Sequence, residues 1–254
     1  MISKNQIKFI QQLELKKYRK REGLFVAEGP KVVGDLLRRY QPKAIYATEE
    51  WMTAHAPEIA DRHLLTSITQ DELRRVSFLQ HPQQVLALFP IPEETFCDTI
   101  DIDKQTLALA LDGVQDPGNL GTIIRIADWF GIDTIYCSED TADAYNPKTV
   151  QATMGSISRV HIIYTDLPAF LGTLSADYPV YGTLLDGEDI YQQPLTAAGV
   201  IVMGNEGNGI SAPVRKLINH RLLIPCFHQG DTAESLNVAI ATAITCSEFR
   251  RRTK

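Results

Sequence analysis

The chain has 254 residues, of which 44% are hydrophobic and 22% charged, and its formal net charge is −6 at pH 7. This balance is typical of a globular protein with one or two domains, and it argues against a polycation that coats nucleic acid. No apolar run reaches the roughly 18 residues that span a bilayer, and the N-terminal segment lacks the apolar core of a signal peptide. We therefore predict a cytoplasmic protein without a membrane partner.

Residues 1–95 alternate short helical and extended patterns. Helices are predicted at 3–20, 31–39, 49–60 and 71–75, and strands at 24–27, 43–47 and 84–89. A segment with prolines and several acidic residues follows, from Pro90 to Lys104. We therefore predict a small α/β domain over residues 1–95 and a linker over 96–104.

Two clusters of basic residues stand out against the acidic net charge. The first cluster is Lys16, Lys17, Arg19, Lys20 and Arg21, and we predict that it contacts RNA phosphates. The second cluster is Arg250, Arg251, Arg252 and Lys254. It suits either phosphate binding or the C-terminal end of a helix, where cations are stabilised by the helix dipole, and the residues alone do not decide between these roles.

Residues 105–254 show longer alternation of strands and helices, the pattern of a mostly parallel sheet with helices on both faces. Strands are predicted at 106–111, 133–137, 159–164, 179–185, 199–203 and 221–225. Helices are predicted at 119–130, 147–156, 167–175, 211–218 and 235–250. The continuously apolar run Val200–Met203 fits a strand that is buried on both faces. We therefore predict a second α/β domain over residues 105–254.

The first motif, LDGVQDPGNLGTIIRIADWFG, covers residues 111–131. It indicates a strand, a turn-rich loop and a helix, with Asn119 placed where a helix cap is favoured. Arg125 lies inside the helix among apolar neighbours, and an ion pair with Asp128 three residues later is the structural alternative to a functional role.

The second motif, VIVMGNEGNGIS, covers residues 200–211. A buried strand leads directly into Gly204, Gly207 and Gly209, and glycines at the end of a strand let a ligand approach the backbone. A tight turn needs fewer glycines than this. Because the spacing is not GxGxxG, the motif does not predict a dinucleotide site.

The third motif, LLIPCFHQGDTAESLNVAIATAITCSEF, covers residues 222–249. It predicts a strand, a polar loop and a helix whose apolar residues recur about every 3.6 positions. Glu234, Ser235 and Asn237 crowd the start of this helix. Ser235 and Asn237 are also suited to capping backbone N–H groups.

Together, N-x-G-x-I-x-R, G-x-E-G-x-G-I-S and I-P…E-S-L-N-V resemble the SpoU (TrmH-like) branch of the SPOUT superfamily over residues 105–250. More weakly, FVAEGPKVV and HPQQVLAL resemble the small RNA-binding domain of that family. The resemblance implies a trefoil knot in the C-terminal domain and transfer of a methyl group from S-adenosylmethionine to a ribose 2′-hydroxyl of rRNA or tRNA. The chain departs from the family in a longer loop between Pro225 and Glu234, with Cys226 where methionine is usual.

By this resemblance, the cofactor would contact Met203, Gly204, Gly209, Ile224 and Leu236. The catalytic group would be Arg125, and residues that orient it, the nucleotide and the cofactor loop would be Asn119, Glu206, Ser235 and Asn237. A guanidinium stays protonated in nearly any environment. We therefore expect Arg125 to clamp a phosphate and stabilise the developing alkoxide, while the final proton acceptor remains open.

The resemblance also implies a homodimer formed through the C-terminal domain, without a metal. Val238, Phe249 and Trp129 fit such an interface, although they also fit packing within one subunit.

The four cysteines are Cys97, Cys137, Cys226 and Cys246; since they lack metal-ligand spacing, we predict reduced and mostly packed thiols. Two other functions are alternatives: a catalytically silent RNA-binding member of the family, and a nucleotide-dependent oxidoreductase, which the missing GxGxxG disfavours.

Overall fold

The computed structural model describes residues 2–55, 59, 61–96, 105–228, 230 and 235–252. The backbone divides into two compact units. The first unit comprises Met1–Pro92 and Asp143–Ser158, and the second comprises Glu93–Ala142 and Arg159–Lys254. Most of the predicted linker, residues 97–104, and two residues of interest, Cys97 and Glu234, lie outside the described residues.

The first unit is a four-stranded sheet covered by helices. Its strands are β1 (Leu24–Glu28), β2 (Ala44–Ala47), β3 (Leu65–Ser67) and β4 (Val85–Pro90), in the spatial order β1-β4-β2-β3. Its helices are α1 (Lys4–Gln12), α2 (Lys16–Glu22), α3 (Pro30–Leu37), α4 (Glu49–His55), α5 (Gln70–Val76) and α7 (Pro147–Ala152), of which α7 belongs to the segment that returns late in the chain. The strand β4 is antiparallel to both β1 and β2, and β2 is parallel to β3.

The single N-terminal helix predicted over residues 3–20 is wrong, because the structure has two helices there. The first begins with a capping box in which Ser3 and Gln6 exchange hydrogen bonds, and its C-cap Leu13 is fully buried. The second ends at Gly23, which has a φ of 63°. A left-handed residue of this kind is the common end of a helix and is easiest for glycine.

Residues 143–158 group with the first unit although they are far from it in sequence. The ring of Tyr145 packs against Phe25 of β1 with the centroids 4.9 Å apart. At the other end of the segment, Gly155 has a φ of 95°, and a Cβ there would come within 2.4 Å of a carboxylate oxygen of Asp35 on α3. Aromatic packing holds the segment against the sheet of the first unit, and the missing side chain of Gly155 lets it lie close to α3.

The second unit contains a six-stranded, entirely parallel sheet in the order β10-β8-β9-β5-β6-β7. Its strands are β5 (Leu107–Asp112), β6 (Thr134–Cys137), β7 (His161–Tyr164), β8 (Val180–Asp189), β9 (Gly199–Gly204) and β10 (His220–Leu223). Its helices are α6 (Pro117–Trp129), α8 (Leu167–Gly172), α9 (Ala212–Arg215) and α10 (Val238–Arg252). The predicted parallel α/β class is confirmed, whereas the trefoil knot stays a prediction.

The neighbouring strands β5 and β9 lie in the middle of this sheet, with Asp112 paired in register with Gly204. Both strands are buried, as their apolar sequences require. The chain order reverses here, because β6 and β7 extend the sheet on one side while β8 and β10 extend it on the other. The carboxyl ends of strands at such a switch point are where open α/β sheets bind ligands.

The last helix, α10, packs against α6 and closes the second unit. Phe249 is fully buried and meets the ring of Tyr181 edge-on, with the centroids 4.8 Å apart. Arg250 donates from Nε to the carbonyl of Phe130 at 2.7 Å and from Nη2 to the carbonyl of Gly131 at 2.6 Å. These bonds satisfy carbonyl groups at the end of α6.

The neighbouring Arg251 and Arg252 both pair with the buried carboxylate of Glu248. Arg252 also donates to the carbonyls of Gln193 and Tyr191. Arg250, Arg251 and Arg252 therefore stabilise the C-terminal end of α10, which is the structural one of the two roles predicted for the second cluster, whereas Lys254 lies outside the described residues. Across the described ranges, no helix combines the length and apolarity needed to cross a bilayer.

Candidate functional site

The first motif forms the turn between β5 and α6. Gly113 follows the strand with a φ of 73°, and its N–H donates to Ser138 Oγ at 2.8 Å. The helix begins at Pro117 and is capped by Asp116, whose carboxylate accepts from the Asn119 N–H at 2.7 Å. Asn119 is therefore not the cap that its position suggested, and its side chain is available for other contacts.

A chain of side-chain hydrogen bonds joins the three motifs. The Nδ2 group of Asn119 donates to Glu206 Oε1 at 2.8 Å, and the Oδ1 atom of Asn119 accepts from Asn237 Nδ2 at 2.9 Å. Glu206 in the loop after β9 and Asn237 at the start of α10 are exposed, and Asn119 at the start of α6 is half-buried. The structure thus brings together three of the five residues that were predicted to be catalytic.

The third motif enters the site through the cap of α10. Asn237 Oδ1 accepts from the N–H groups of Ala239 and Ile240 at 3.0 and 3.3 Å. Asn237 therefore caps the helix with its oxygen, which is the structural one of its two predicted roles, and bonds to Asn119 with its nitrogen. Ser235 lies two residues earlier and is exposed.

Arg125 lies on the exposed face of α6. The ion pair that was considered between Arg125 and Asp128 does not form. Instead, Asp128 accepts from Arg159, with the shortest nitrogen–oxygen distance 2.8 Å. Within the described part of the chain, the guanidinium of Arg125 has no hydrogen-bond or ion-pair partner, so it can bind an external anion without first breaking a contact.

The second motif forms a closed loop after β9. Asn205 and Gly209 exchange backbone hydrogen bonds of 2.9 Å in both directions. Gly204 lies beneath this closure, where an added Cβ would come within 2.4 Å of the Gly209 carbonyl carbon. A side chain at position 204 would therefore push the loop away from the end of the strand.

The residues predicted to bind the cofactor differ in accessibility. Gly209 has a φ of 67° and open space where a Cβ would point, and the side chain of Leu236 is 50% exposed. Ile224 is half-buried, while Met203 is buried, with its sulfur 3.6 Å from Thr183 Oγ1. The loop backbone and the apolar side chains of the third motif can receive a ligand, whereas Met203 supports the strand from inside the sheet.

Two residues at this site were not singled out from the sequence. Asp112 is buried at the end of β5, and its carboxylate accepts from the Ser211 N–H at 2.7 Å. Asn205 donates from Nδ2 to the carbonyl of Gly113 at 2.7 Å. Asp112 lies within the first motif and Asn205 lies between Gly204 and Glu206 of the second motif, so their position inside the motifs was the available signal.

The N-terminal basic cluster divides into two kinds of residue. Arg19 is 2% exposed, and its guanidinium donates to the carbonyls of Leu13 and Glu14 at 2.7 and 2.6 Å and pairs with Asp143 at 2.6 Å. The prediction that Arg19 contacts RNA is corrected, because its donors already stabilise the first unit. The other members of the cluster are exposed: Lys16, Lys17, Lys20 and Arg21.

The described cysteines are Cys137, Cys226 and Cys246, and all are free thiols. Burial raises the pKa of Cys137 far above its usual range and raises the pKa of Cys246 to about 12. A buried neutral thiol is a poor nucleophile. The packing predicted for the cysteines holds for these two, whereas Cys226 is exposed in the loop after β10.

Known protein families match parts of both units. Residues 106–247 match the model described as the SpoU rRNA Methylase family, and residues 4–87 match the MRM3-like substrate binding domain. A 23S rRNA (guanosine(2553)-2′-O)-methyltransferase of Bacillus subtilis is 34% identical, and the alignment covers 98% of this chain and 97% of that protein.

Solved structures resemble the whole chain as well. An RNA methyltransferase of the TrmH family from Porphyromonas gingivalis is 41% identical, with a TM-score of 0.88 and coverage of 99% of both chains. An AdoMet-bound rRNA methyltransferase from Sinorhizobium meliloti is 30% identical, with a TM-score of 0.86 and coverage of 100% of this chain and 97% of that chain.

Proposed function

The chain belongs to the SpoU rRNA methylase family, and from this membership we propose that it transfers a methyl group from S-adenosylmethionine to the ribose 2′-hydroxyl of a guanosine in 23S rRNA. The Bacillus subtilis relative carries this activity in its name and is similar along almost its whole length. This similarity favours rRNA over the tRNA alternative that the motifs leave open.

The observation that carries the proposal is the hydrogen-bonded chain from Glu206 through Asn119 to Asn237. It gathers the three motifs at the carboxyl ends of β5 and β9, where parallel sheets bind their ligands. A catalytically silent RNA-binding protein has no need to keep this exposed polar chain aligned. These hydrogen bonds therefore support an active enzyme rather than a catalytically silent RNA-binding protein.

Arg125 is the residue that we propose to contact the reacting nucleotide. Its guanidinium is exposed and has no partner among the described residues, and a planar fork of N–H donors matches the oxygens of a phosphate. Clamping the phosphate beside the 2′-hydroxyl would fix that oxygen for attack and stabilise its developing negative charge. Because a guanidinium stays protonated, Arg125 would not itself be the base.

For the cofactor, the residues present fit a ligand held by backbone and apolar groups. The open side of Gly209 leaves its backbone accessible, and the half-exposed side chain of Leu236, with Ile224, supplies apolar surface. S-adenosylmethionine, when bound there, would supply an activated methyl group. Gly204 and Met203 would act beneath it by keeping the end of β9 and its loop in position.

We assign RNA binding to the N-terminal domain, residues 1–95, which contains the match to a substrate-binding domain. The exposed residues Lys16, Lys17, Lys20 and Arg21 carry positive charge on or beside α2. Such charges bind phosphates without reading sequence. The choice of nucleotide would then rest on the second unit and on the shape of the RNA.

We also propose a homodimer formed through the second unit, a trefoil knot in that unit and a cytoplasmic location. The dimer is supported by two large apolar side chains on the paired helices: Trp129 of α6 is 84% exposed and Ile240 of α10 is 53% exposed. Val238 and Phe249, in contrast, are buried within the subunit and do not supply the interface. The knot and the location are supported by family membership.

The direct test is to map 2′-O-methyl groups in 23S rRNA from cells with and without the gene, and to restore the modification with purified protein and S-adenosylmethionine. We expect one guanosine to lose its methyl group without the protein and to regain it in vitro. Calorimetry should show binding of S-adenosylmethionine but not of NAD. An unchanged methylation map, with no transfer to unmodified 23S rRNA in vitro, would contradict the proposal.

A further inference from the structure

Asn205 is a half-buried residue at the point where β9 becomes the glycine-rich loop. Its Oδ1 atom accepts from the N–H groups of Gly207 and Asn208, both at 2.9 Å. Its Nδ2 group donates in the other direction, to the carbonyl of Gly113 at 2.7 Å. Two N–H groups on one side and a carbonyl on the other require both halves of an amide, so neither a carboxylate nor a hydroxyl can replace it fully.

The oxygen of Asn205 shapes the loop, whereas its nitrogen connects the loop to the first motif. The loop is already closed by the backbone bonds between Asn205 and Gly209, and it lies tightly against Gly204. It can therefore behave as one small body. The bond to Gly113 fixes that body relative to the turn that leads into α6.

The bond from Asn205 to Gly113 links the two segments of the chain that carry Glu206 and Asn119. Glu206 directly follows Asn205, and Asn119 lies in the first turn of α6, shortly after Gly113. The bond between the side chains of Asn119 and Glu206 is exposed to water, where an isolated hydrogen bond contributes little. A shorter and less exposed bond beside it, from Asn205 to Gly113, is better placed to hold the two segments in register.

We propose that Asn205 is a positioning residue for methyl transfer: its amide nitrogen aligns Glu206 with Asn119 by tying the glycine-rich loop to the first motif. This inference rests on the proposed function. Asn205 need not touch the RNA or the cofactor, and its effect passes through Glu206. A role confined to forming the turn would use the oxygen alone.

The substitution Asn205→Asp separates these roles, because a carboxylate still accepts from Gly207 and Asn208 but cannot donate to Gly113. Asn208→Asp is the matched control: it adds the same charge in the same loop, and the side chain of Asn208 has no hydrogen-bond partner in the described ranges. With unmodified 23S rRNA, we expect Asn205→Asp to lower kcat roughly 10- to 100-fold, the scale of a small misplacement of reacting groups. The KM for RNA and the Kd for S-adenosylmethionine should stay within about 3-fold of the unsubstituted protein.

A double-mutant cycle with Glu206→Ala, which removes the acceptor of the bond from Asn119, tests whether the effect passes through Glu206. Single-turnover rates should show that Asn205→Asp lowers the rate much less in the Glu206→Ala background than in the unsubstituted chain. Fully additive effects would overturn the inference, and so would a kcat for Asn205→Asp within 2-fold of the unsubstituted protein. Equal losses in Asn205→Asp and Asn208→Asp would also overturn it, because they would indicate an effect of charge alone.

If Asn205→Asp fails to fold, as judged by circular dichroism and S-adenosylmethionine binding, Asn205→Ser provides the same test. Its hydroxyl can still accept within the turn but is too short to bond with Gly113. Loss of folding or of cofactor binding in both variants would overturn the positioning role in favour of a purely structural one. Activity of the unsubstituted protein separates the two ideas: no methyl transfer by it refutes the proposed function, whereas normal transfer with active Asn205 variants refutes only this inference.

Discussion

The side chain of Asn119 donates to Glu206, 87 positions later in the chain, at 2.8 Å and so joins the first motif to the second. An amide donor prefers a charged acceptor, but the uncharged oxygen of glutamine can accept the same bond. We therefore expect Glu206→Ala to lower methyl transfer roughly 100-fold and Glu206→Gln to lower it less. Single-turnover rates measure both effects. Asp177→Ala, at an exposed position of the same unit, should behave like the unsubstituted protein.

Arg125 offers the sharpest prediction for catalysis. Arg125→Ala and Arg125→Lys should both abolish methylation, because a lysine ammonium is a point charge and does not reproduce a two-pronged phosphate clamp. The Kd for S-adenosylmethionine, measured by calorimetry, should stay within a few-fold. Lys216→Ala removes a cation elsewhere on the surface of the unit and serves as the control. Near-normal activity of Arg125→Lys would refute the clamp.

Much of this arrangement was predictable because it depends on local sequence patterns. The apolar run predicted as a strand over residues 199–203 is β9, Gly199–Gly204, since a strand buried on both faces must be apolar along its length. Asn119, Glu206 and Asn237 were recognised from motifs at the ends of such elements. The family resemblance that followed from these motifs is confirmed, and so is the α/β class that followed from the alternation of strands and helices.

Contacts between distant parts of the chain were not predictable in this way. Arg19 reads as one cation among five, and only the fold brings it to Asp143, 124 positions away. Asp128 likewise lies at helical spacing from Arg125 but pairs with Arg159, 31 positions away. No pattern in residues 143–158 indicates that they group with the first unit. Pairing of this kind depends on tertiary packing, which local periodicity does not encode.

The pair between Arg19 and Asp143 predicts a large effect on stability. Arg19→Ala would leave Asp143 and the carbonyls of Leu13 and Glu14 without their donors. Breaking a buried ion pair on one side costs about 3–5 kcal/mol, so the midpoint of urea unfolding should fall markedly. Lys17→Ala, on the same helix but exposed, should change the free energy of unfolding by less than about 1 kcal/mol. Equal stability of the two variants would contradict the structural role of Arg19.

RNA binding should depend on salt through the exposed part of the basic cluster. Each phosphate contact contributes roughly 0.7–0.9 to the slope of log affinity against log salt concentration. Replacing Lys16, Lys17, Lys20 and Arg21 with alanine should therefore reduce that slope by up to about 3.6 units, as measured by fluorescence anisotropy. Alanine at Arg38 and Arg74, which already pair with aspartates, should leave it nearly unchanged. If the variant with all four substitutions has an unaltered slope, these residues do not belong to the RNA interface.

Acid should weaken the end of α10 through Glu248. A hydrogen bond from Arg251 lowers the pKa of Glu248, burial opposes this shift, and Arg252 adds to the lowering. A carboxyl group whose pKa is lowered by folding stabilises the protein at pH values above the pKa of that group in the unfolded state, about 4.3 for glutamate. This contribution is lost as the pH falls through the pKa of the group in the folded state. Glu248→Gln should therefore destabilise the protein at pH 7 and flatten the fall in stability below about pH 4. If the free energy of unfolding, measured with urea, depends on pH equally in the two proteins, this role of Glu248 is contradicted.

The apolar side chains on α6 and α10 lead to a prediction about assembly. Trp129 and Ile240 are 84% and 53% exposed on two helices that pack together, and large apolar side chains on a surface are typical anchors of protein interfaces. In a two-fold dimer the same patch meets its own copy, so one substitution changes both sides of the interface. Trp129→Asp combined with Ile240→Asp should therefore convert the proposed dimer into single chains of 28.4 kDa and abolish methyl transfer. Light scattering at micromolar concentration measures the mass, and Leu15→Asp, at a half-exposed apolar position of the first unit, is the control that should remain dimeric. An unsubstituted protein that is active as a single chain would refute the dimer.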